Sequence, residues 1–225
     1  MTERIGLCTN VVPGPLRANA EILAKQALSV HALSGERLTL RIGLGGREDD
    51  FEFAGISLGH RGDELDAMLE RMKAAWAGEE MGPAGETPPG LIVGGAVEAS
   101  FARAARFGDG WIAGGASPEQ FAEMAAQAKA AWAAADRDGE PRLMGLAYFS
   151  LGDDAEAHAD AYPRDYYAWL GEEVAGYIAG SAAKDAETVK AYLAGFAGAG
   201  CDELILCPSA SDPAQVDLLA DAVGL

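Results

Sequence analysis

Apolar residues along the chain fall into short continuous runs, separated by longer stretches in which they recur every three or four positions. The runs cover residues 4–12, 38–44, 91–93 with flanking glycines, the GDGW stretch ending at Ala113, 142–151 and 203–207. They lack polar–apolar alternation, as strands buried on both faces of a parallel sheet do. The intervening stretches read as helices. Ile22, Leu23, Ala27 and Val30 mark one over residues 16–33, and Leu65, Met68, Leu69, Met72 and Trp76 form a single apolar stripe on another. Phe101, Ala105 and Arg106 lie on a third, and Phe121, Met124, Ala128 and Trp132 form the buried face of a fourth. A fifth spans residues 184–199, and Asp212-Pro213 opens a closing helix.

Punctuation agrees with this division. Pro13-Gly14-Pro15 ends the first strand, Ser34-Gly35 closes the helix after it, and Asp63 and Glu64 sit in the first turn of the next. Ser117-Pro118-Glu119-Gln120 supplies an N-cap, a proline at the first helical position and the glutamine of a capping box. Residues 78–89 form a Gly/Pro-rich loop. Residues 152–180 are acidic, broken by Pro163 and dense in aromatics: Tyr162, Tyr166, Tyr167, Trp169 and Tyr177. These rings either pack a helix against the sheet or wall a substrate pocket or dimer contact. Six strands alternating with helices predict an α/β chain with parallel strands, a single domain over residues 1–225 with a variable insertion at 152–180. The count alone leaves a barrel and an open sheet equally possible.

Charge narrows the partners. Lys and Arg number 17 against 35 Asp and Glu, a net charge of -18, so nucleic acid and anionic membranes are excluded as partners. An anionic cofactor then needs backbone N–H groups and a few local arginines, of which Arg47, Arg103 and Arg106 are nearest in sequence to the glycines discussed next. With no apolar stretch of membrane-spanning length and no secretory leader, the expected location is the cytoplasm. Cys8, Cys201 and Cys207 form no C-x-x-C pair, which argues against disulfides and a metal site and for reduced thiols in the core.

Gly94 and Gly95 leave the strand at 91–93 and enter a helix. Two readings stand: a tight strand-to-helix turn, or a backbone cradle for a phosphate at a helix N terminus.

This stretch, GLIVGGAVEASFARAARFGDGWIAGG, followed by the Ser-Pro-Glu helix start, resembles the luciferase-like monooxygenase family. TERIGLCTNV at the start, LSGERLTLRIGLGGREDDFEFAGI with RGDELDAML after it, and GCDELILCPSASDP near the end fit the same family in the same order. The resemblance implies a TIM-barrel (β/α) fold, incomplete or shortened to about six strands, because the family's third strand begins here at residue 2. It implies FMN or coenzyme F420 as cofactor. The ring is expected against Thr9, Asn10 and Val11, with a non-proline cis peptide at Asn10–Val11, and the phosphate at Gly94, Gly95 and Ala96. Gly114, at another strand end, completes the expected set.

The catalytic acid or base is unassigned, because the family's usual histidine lies on segments preceding this start. His31, His60 and His158 read as surface or capping residues, and the acidic run Glu48, Asp49, Asp50 as a solvated loop. The implied function is a flavin- or F420-dependent oxidoreductase acting on a small organic substrate. The alternatives are a catalytically impaired cofactor-binding protein and a non-binding structural paralogue. Unpaired edges on the first and last strands imply a homodimer.

Overall fold

The computed structural model describes residues 2–78, 81–82 and 87–225, so the loop expected at 78–89 lies in part outside the described residues. The chain groups into two compact units, one comprising residues up to Ile112 with Ala128–Arg142, the other Ala113–Gln127 with Leu143–Leu225.

The first unit contains strands β1 (Leu7–Cys8) and β2 (Val12–Pro13), helix α1 (Ala20–Leu33), β3 (Leu38–Gly43), α2 (Glu48–Ala54), α3 (Arg61–Ala77), β4 (Gly90–Gly94), α4 (Glu98–Phe107) and the start of β5 (Gly110–Gly115). β1 and β2 both pair with β3, β3 with β4 and β4 with β5, all in parallel. Residues alternate across the sheet. Leu38, Leu40 and Ile42 lie on one face of β3, and Thr39, Arg41 and Gly43 on the other. Register carries the second face onto Ile92 and Gly94 of β4, then Gly110 and Ile112 of β5.

The first expected strand needs correction. Instead of one segment buried on both faces it is two short pieces, with Cys8 and Val11 exposed and Leu7 and Val12 half-buried. It pairs with β3 alone among the described residues, and a strand with one neighbour keeps part of its surface in solvent. For the same reason Cys8 is exposed rather than in the core.

Helix α1 starts at Ala20, later than the expected 16, because Asn19 caps it by accepting a hydrogen bond from the Ile22 N–H at 2.9 Å. Its buried face is Ala20, Leu23, Ala24, Ala27, Leu28 and His31, while Ile22 and Val30 are exposed. His31 is therefore a core residue and not a surface one. Its Nδ1–H donates to the Leu38 carbonyl at 3.1 Å, which satisfies the buried ring. The acidic run is not a loop. It forms the first turn of α2, where three carboxylates complement the helix dipole, and Phe51 anchors the helix in the core. On α3 the stripe Leu65, Met68, Leu69 and Met72 is buried as expected, and the Trp76 indole donates to the Ala24 carbonyl at 3.0 Å.

The second unit contains the end of β5, the start of α5 (Pro118–Ala134), β6 (Arg142–Phe149), α6 (Ala155–Tyr166), α7 (Glu172–Gly180), α8 (Ala186–Gly198), β7 (Glu203–Pro208) and α9 (Ala214–Val223). The capping box forms: the Ser117 N–H donates to Gln120 Oε1 at 3.0 Å and the Gln120 N–H to Ser117 Oγ at 3.3 Å. β6 and β7 pair in parallel from Met144–Glu203 to Phe149–Pro208. Phe149 packs with Val189, Leu206, Leu218 and Ala222 on the side of α8 and α9. Leu146 and Tyr148 pack with Ala159, Tyr167, Ile178, Ala182 and Cys207. The aromatic-rich stretch at 152–180 thus folds as α6, a short turn and α7, and covers the sheet face opposite α8 and α9.

Candidate functional site

The expected cofactor residues of the first unit lie around the exits of β2, β3 and β4. Parallel α/β sheets bind ligands at such ends. Pro13, Gly43 and Gly94 mark the last rung, since Pro13 pairs with Gly43 and Gly94 with Ile112. Thr9, Asn10 and Val11 sit slightly below that rung, between β1 and β2, rather than at the strand's end.

From Cys8 to Val12 the first strand takes four steps where β3 takes three, from Thr39 to Ile42, so one extra residue bulges out. The Asn10–Val11 peptide inside the bulge is cis, as expected. Thr9 Oγ1 replaces the missing ladder bonds: it accepts from the Arg41 N–H at 2.8 Å and donates to the Arg41 carbonyl at 2.8 Å. Asn10 and Val11 are exposed, and the Val11 side chain would lie 3.1 Å from a Cβ placed on Gly43. Glycine there lets the bulge approach β3. Arg41, on the same face as Gly43, is 1% exposed.

The Gly94-Gly95-Ala96 turn is fixed from two sides. Gly95 has φ +145°, and a Cβ on it would meet Ser100 Cβ at 2.5 Å. Its carbonyl accepts from the Trp111 indole N–H at 2.7 Å. Ser100 Oγ accepts from the Val97 N–H at 3.1 Å, closing the entry to α4. The glycine is thus required by the turn's own packing, which supports the tight-turn reading of the pair. The phosphate reading survives beside it. Gly94 and Gly95 remain half-accessible, Ala96 and Val97 are exposed, and Val97 as N-cap offers no side-chain acceptor to the first-turn N–H groups of this ten-residue helix. Glu98, in that first turn, opposes an anion at the same place.

The three arginines named from sequence are held by carboxylates. Arg103, buried, ion-pairs with Asp66 and donates to the Gly62 carbonyl at 3.2 Å, and Arg106 pairs with Glu70. Arg47 contacts Asp49 at 2.6 Å, and this hydrogen bond holds the Asp49 carboxyl below its usual range. His60 and His158 are exposed. Gly114 belongs to the second unit, where it is exposed and a Cβ on it would meet nothing within 4 Å.

Sequence reasoning missed Thr9 as a bridge and Trp111 as the turn's clamp. The available signal was the GDGW motif itself, since a buried indole needs an acceptor. The same motif's Asp109 accepts from the Leu91 N–H at 2.7 Å, and a Cβ on Gly110 would collide with the Arg142 carbonyl. The motif therefore knits β4 to β5.

The structure is similar to an F420-dependent secondary alcohol dehydrogenase solved with an F420–acetone adduct, with TM-score 0.82 at 15% identity over 99% of this chain and 80% of that one. It is similar to the monooxygenase RslO1 of Streptomyces bottropensis, TM-score 0.75 at 18% identity over 99% and 78% of the two chains. A coenzyme F420-dependent tetrahydromethanopterin reductase of Methanopyrus kandleri gives TM-score 0.73 at 15% identity over 100% and 82%. These likenesses establish the fold: α/β, of the TIM-barrel type those enzymes share. In sequence, an uncharacterised protein of Mycobacterium tuberculosis is 32% identical over 143 residues, 57% of this chain and 49% of the relative. Another from the same organism is 31% identical over 164 residues, 65% of this chain and 57% of the relative. The chain spans about half the length of these curated relatives. The model of one family matches residues 1–205, the stretch that carries both the bulge and the glycine turn, and the chain belongs to that family, the luciferase-like monooxygenases.

Proposed function

We propose that this chain is the cofactor-holding part of an oxidoreductase that uses FMN or coenzyme F420 on a small organic substrate. The observation that carries the reading is the Gly94-Gly95-Ala96 turn, clamped by Trp111, accessible to solvent and opening onto the N terminus of α4. The residues fit such a group, because they offer backbone donors with no side chain larger than methyl. Gly94, Gly95 and Ala96 would hold the phosphate; Thr9, Asn10 and Val11 would support the ring. When bound, the cofactor supplies the electron-transfer chemistry, while these residues bind and orient it. Gly114 is proposed as a further backbone contact.

Titration of the apo protein with FMN and with F420, followed by fluorescence, tests the reading. Saturable micromolar binding of either one is expected, and Glu98→Gln should tighten it by removing a like charge from the phosphate's helix end. Failure of both cofactors to bind overturns the proposal. A second reading, binding without turnover, is favoured by one observation: His31 is sealed in the core against Leu38, and His60 and His158 are exposed. Turnover assays with reduced cofactor separate the two.

We also propose a cytoplasmic homodimer. β7 pairs with β6 alone among the described residues, and Leu204, Ile205 and Leu206 are only half-buried along it, leaving an apolar edge that a second copy would cover. Light scattering on a sizing column should give twice the chain mass, and a monomer at micromolar concentration would refute the dimer.

A further inference from the structure

We infer that the tyrosine cluster of the second unit is the binding site for a planar aromatic substrate carrying a hydroxyl or carbonyl group. The inference names the substrate class and rests on the oxidoreductase reading above.

Tyr148 is the penultimate residue of β6 and pairs with Cys207, so it stands at the C-terminal end of two parallel strands. It lies on the sheet face covered by α6 and α7, away from α8 and α9. Four rings close a circuit there. Tyr148 contacts Tyr162 at 6.0 Å between centroids, Tyr162 stacks on Tyr166 at 5.8 Å and 18°, Tyr166 meets Tyr167 edge-on at 4.9 Å, and Tyr167 returns to Tyr148 at 6.2 Å.

Rings that served only to pack α6 onto the sheet would be buried, as Tyr148 is; Tyr167 is half-buried and the other two are exposed. Tyr162 is 42% and Tyr166 49% exposed, so a stacked pair presents open π surface. Beside it the hydroxyls of Tyr148 and Tyr167 lie 2.9 Å apart. Such a pair uses one proton between its two oxygens and keeps the other to donate outward, with lone pairs left to accept. Burial raises the pKa of both phenols, so the pair stays neutral and available as donor and acceptor. Open ring faces next to a polar handle suit a flat conjugated molecule with an oxygen at its edge. A quaternary ammonium, which aromatic surfaces also attract, would need rings spread around it. Here the rings already touch one another.

The test uses 2-naphthol as probe on the cofactor-free chain, with naphthalene lacking the hydroxyl and cyclohexanol lacking the ring, read by probe fluorescence and saturation-transfer NMR. Saturable 2-naphthol binding is expected, with cyclohexanol failing to displace it. Tyr166→Leu, which keeps bulk without a π face, should weaken binding by about 2- to 10-fold. Tyr167→Phe should weaken 2-naphthol several-fold and leave naphthalene unchanged. The inference is overturned by absence of saturable binding, by binding indifferent to both substitutions, or by equal competition from cyclohexanol, which would mean a generic apolar patch. Tyr166→Phe, retaining a ring, serves as the folding control. Cofactor titration of the same samples keeps the two proposals separable: absence of 2-naphthol binding by the wild-type chain, with its cofactor binding intact, refutes this one alone.

Discussion

The hydroxyl of Thr9 joins both backbone polar groups of Arg41, each at 2.8 Å, and so stitches the bulge of the first strand to β3 where ladder pairing lapses. One side chain closes a gap that two short strands leave open. Thr9→Val removes both bonds while keeping shape, and leaves the buried Arg41 N–H without that acceptor. Destabilisation by about 1–3 kcal/mol is expected, with Thr9→Ser restoring most of it. Urea unfolding of the three proteins checks this, and an unchanged midpoint for Thr9→Val would show the bridge to be dispensable.

Trp111 is buried against Phe101, ring centroids 5.5 Å apart, and its indole N–H reaches the Gly95 carbonyl. Trp111→Phe keeps an aromatic ring in the core and removes the donor. The lost bond and smaller ring should together lower stability by about 2–4 kcal/mol. If the turn holds a phosphate, cofactor affinity should fall as well. Loss of affinity beyond what Phe101→Leu causes would separate the clamp on Gly95 from general loosening of the core.

How much of this was legible in the sequence depended on whether a residue's role is written locally. The stripe of α3 was legible because Leu and Met at helical spacing carry a strong signal. The face of α1 was not: four of its six buried positions are Ala or His, and the conspicuous Ile22 and Val30 point outward. A continuous apolar run cannot tell a central strand from one with a single neighbour, which is why residues 4–12 read as doubly buried. At the site, the glycines and the bulge position could be located by resemblance. Their supports could not, because Thr9–Arg41 and Trp111–Gly95 depend on strand register, which no local pattern encodes.

The glycines of the expected cofactor set divide into two kinds. Gly95 has positive φ and a Cβ position 2.5 Å from Ser100 Cβ, so Gly95→Ala should destabilise the fold by about 1–3 kcal/mol before any ligand is considered. Gly114 has open space around it, so Gly114→Ala should leave the unfolding midpoint within about 0.5 kcal/mol of wild type. Cofactor titration then becomes informative at Gly114: weaker binding by a stable Gly114→Ala protein marks a ligand contact, and unchanged binding removes Gly114 from the set.

The tyrosine cluster also contributes to the loss of stability at alkaline pH. Burial, the largest cause in each case, raises the phenol pKa of Tyr148, Tyr162 and Tyr167 above the ordinary value of 10.0. Below pH of about 10 the phenols are protonated in folded and unfolded chains alike, and the burial energy is fully present. Above it the unfolded chain releases protons that the folded chain retains, so stability falls as pH rises through the window between the two values. Burial also raises the Cys201 thiol, so urea midpoints should begin a shallow decline near pH of about 9 and fall more steeply beyond about 10, where the phenols join. Tyr148→Phe removes the most strongly shifted phenol, so its decline should be shallower than wild type even if its midpoint at pH 8 is lower. Parallel declines in the two proteins would show that some other group, and not this phenol, drives the decline.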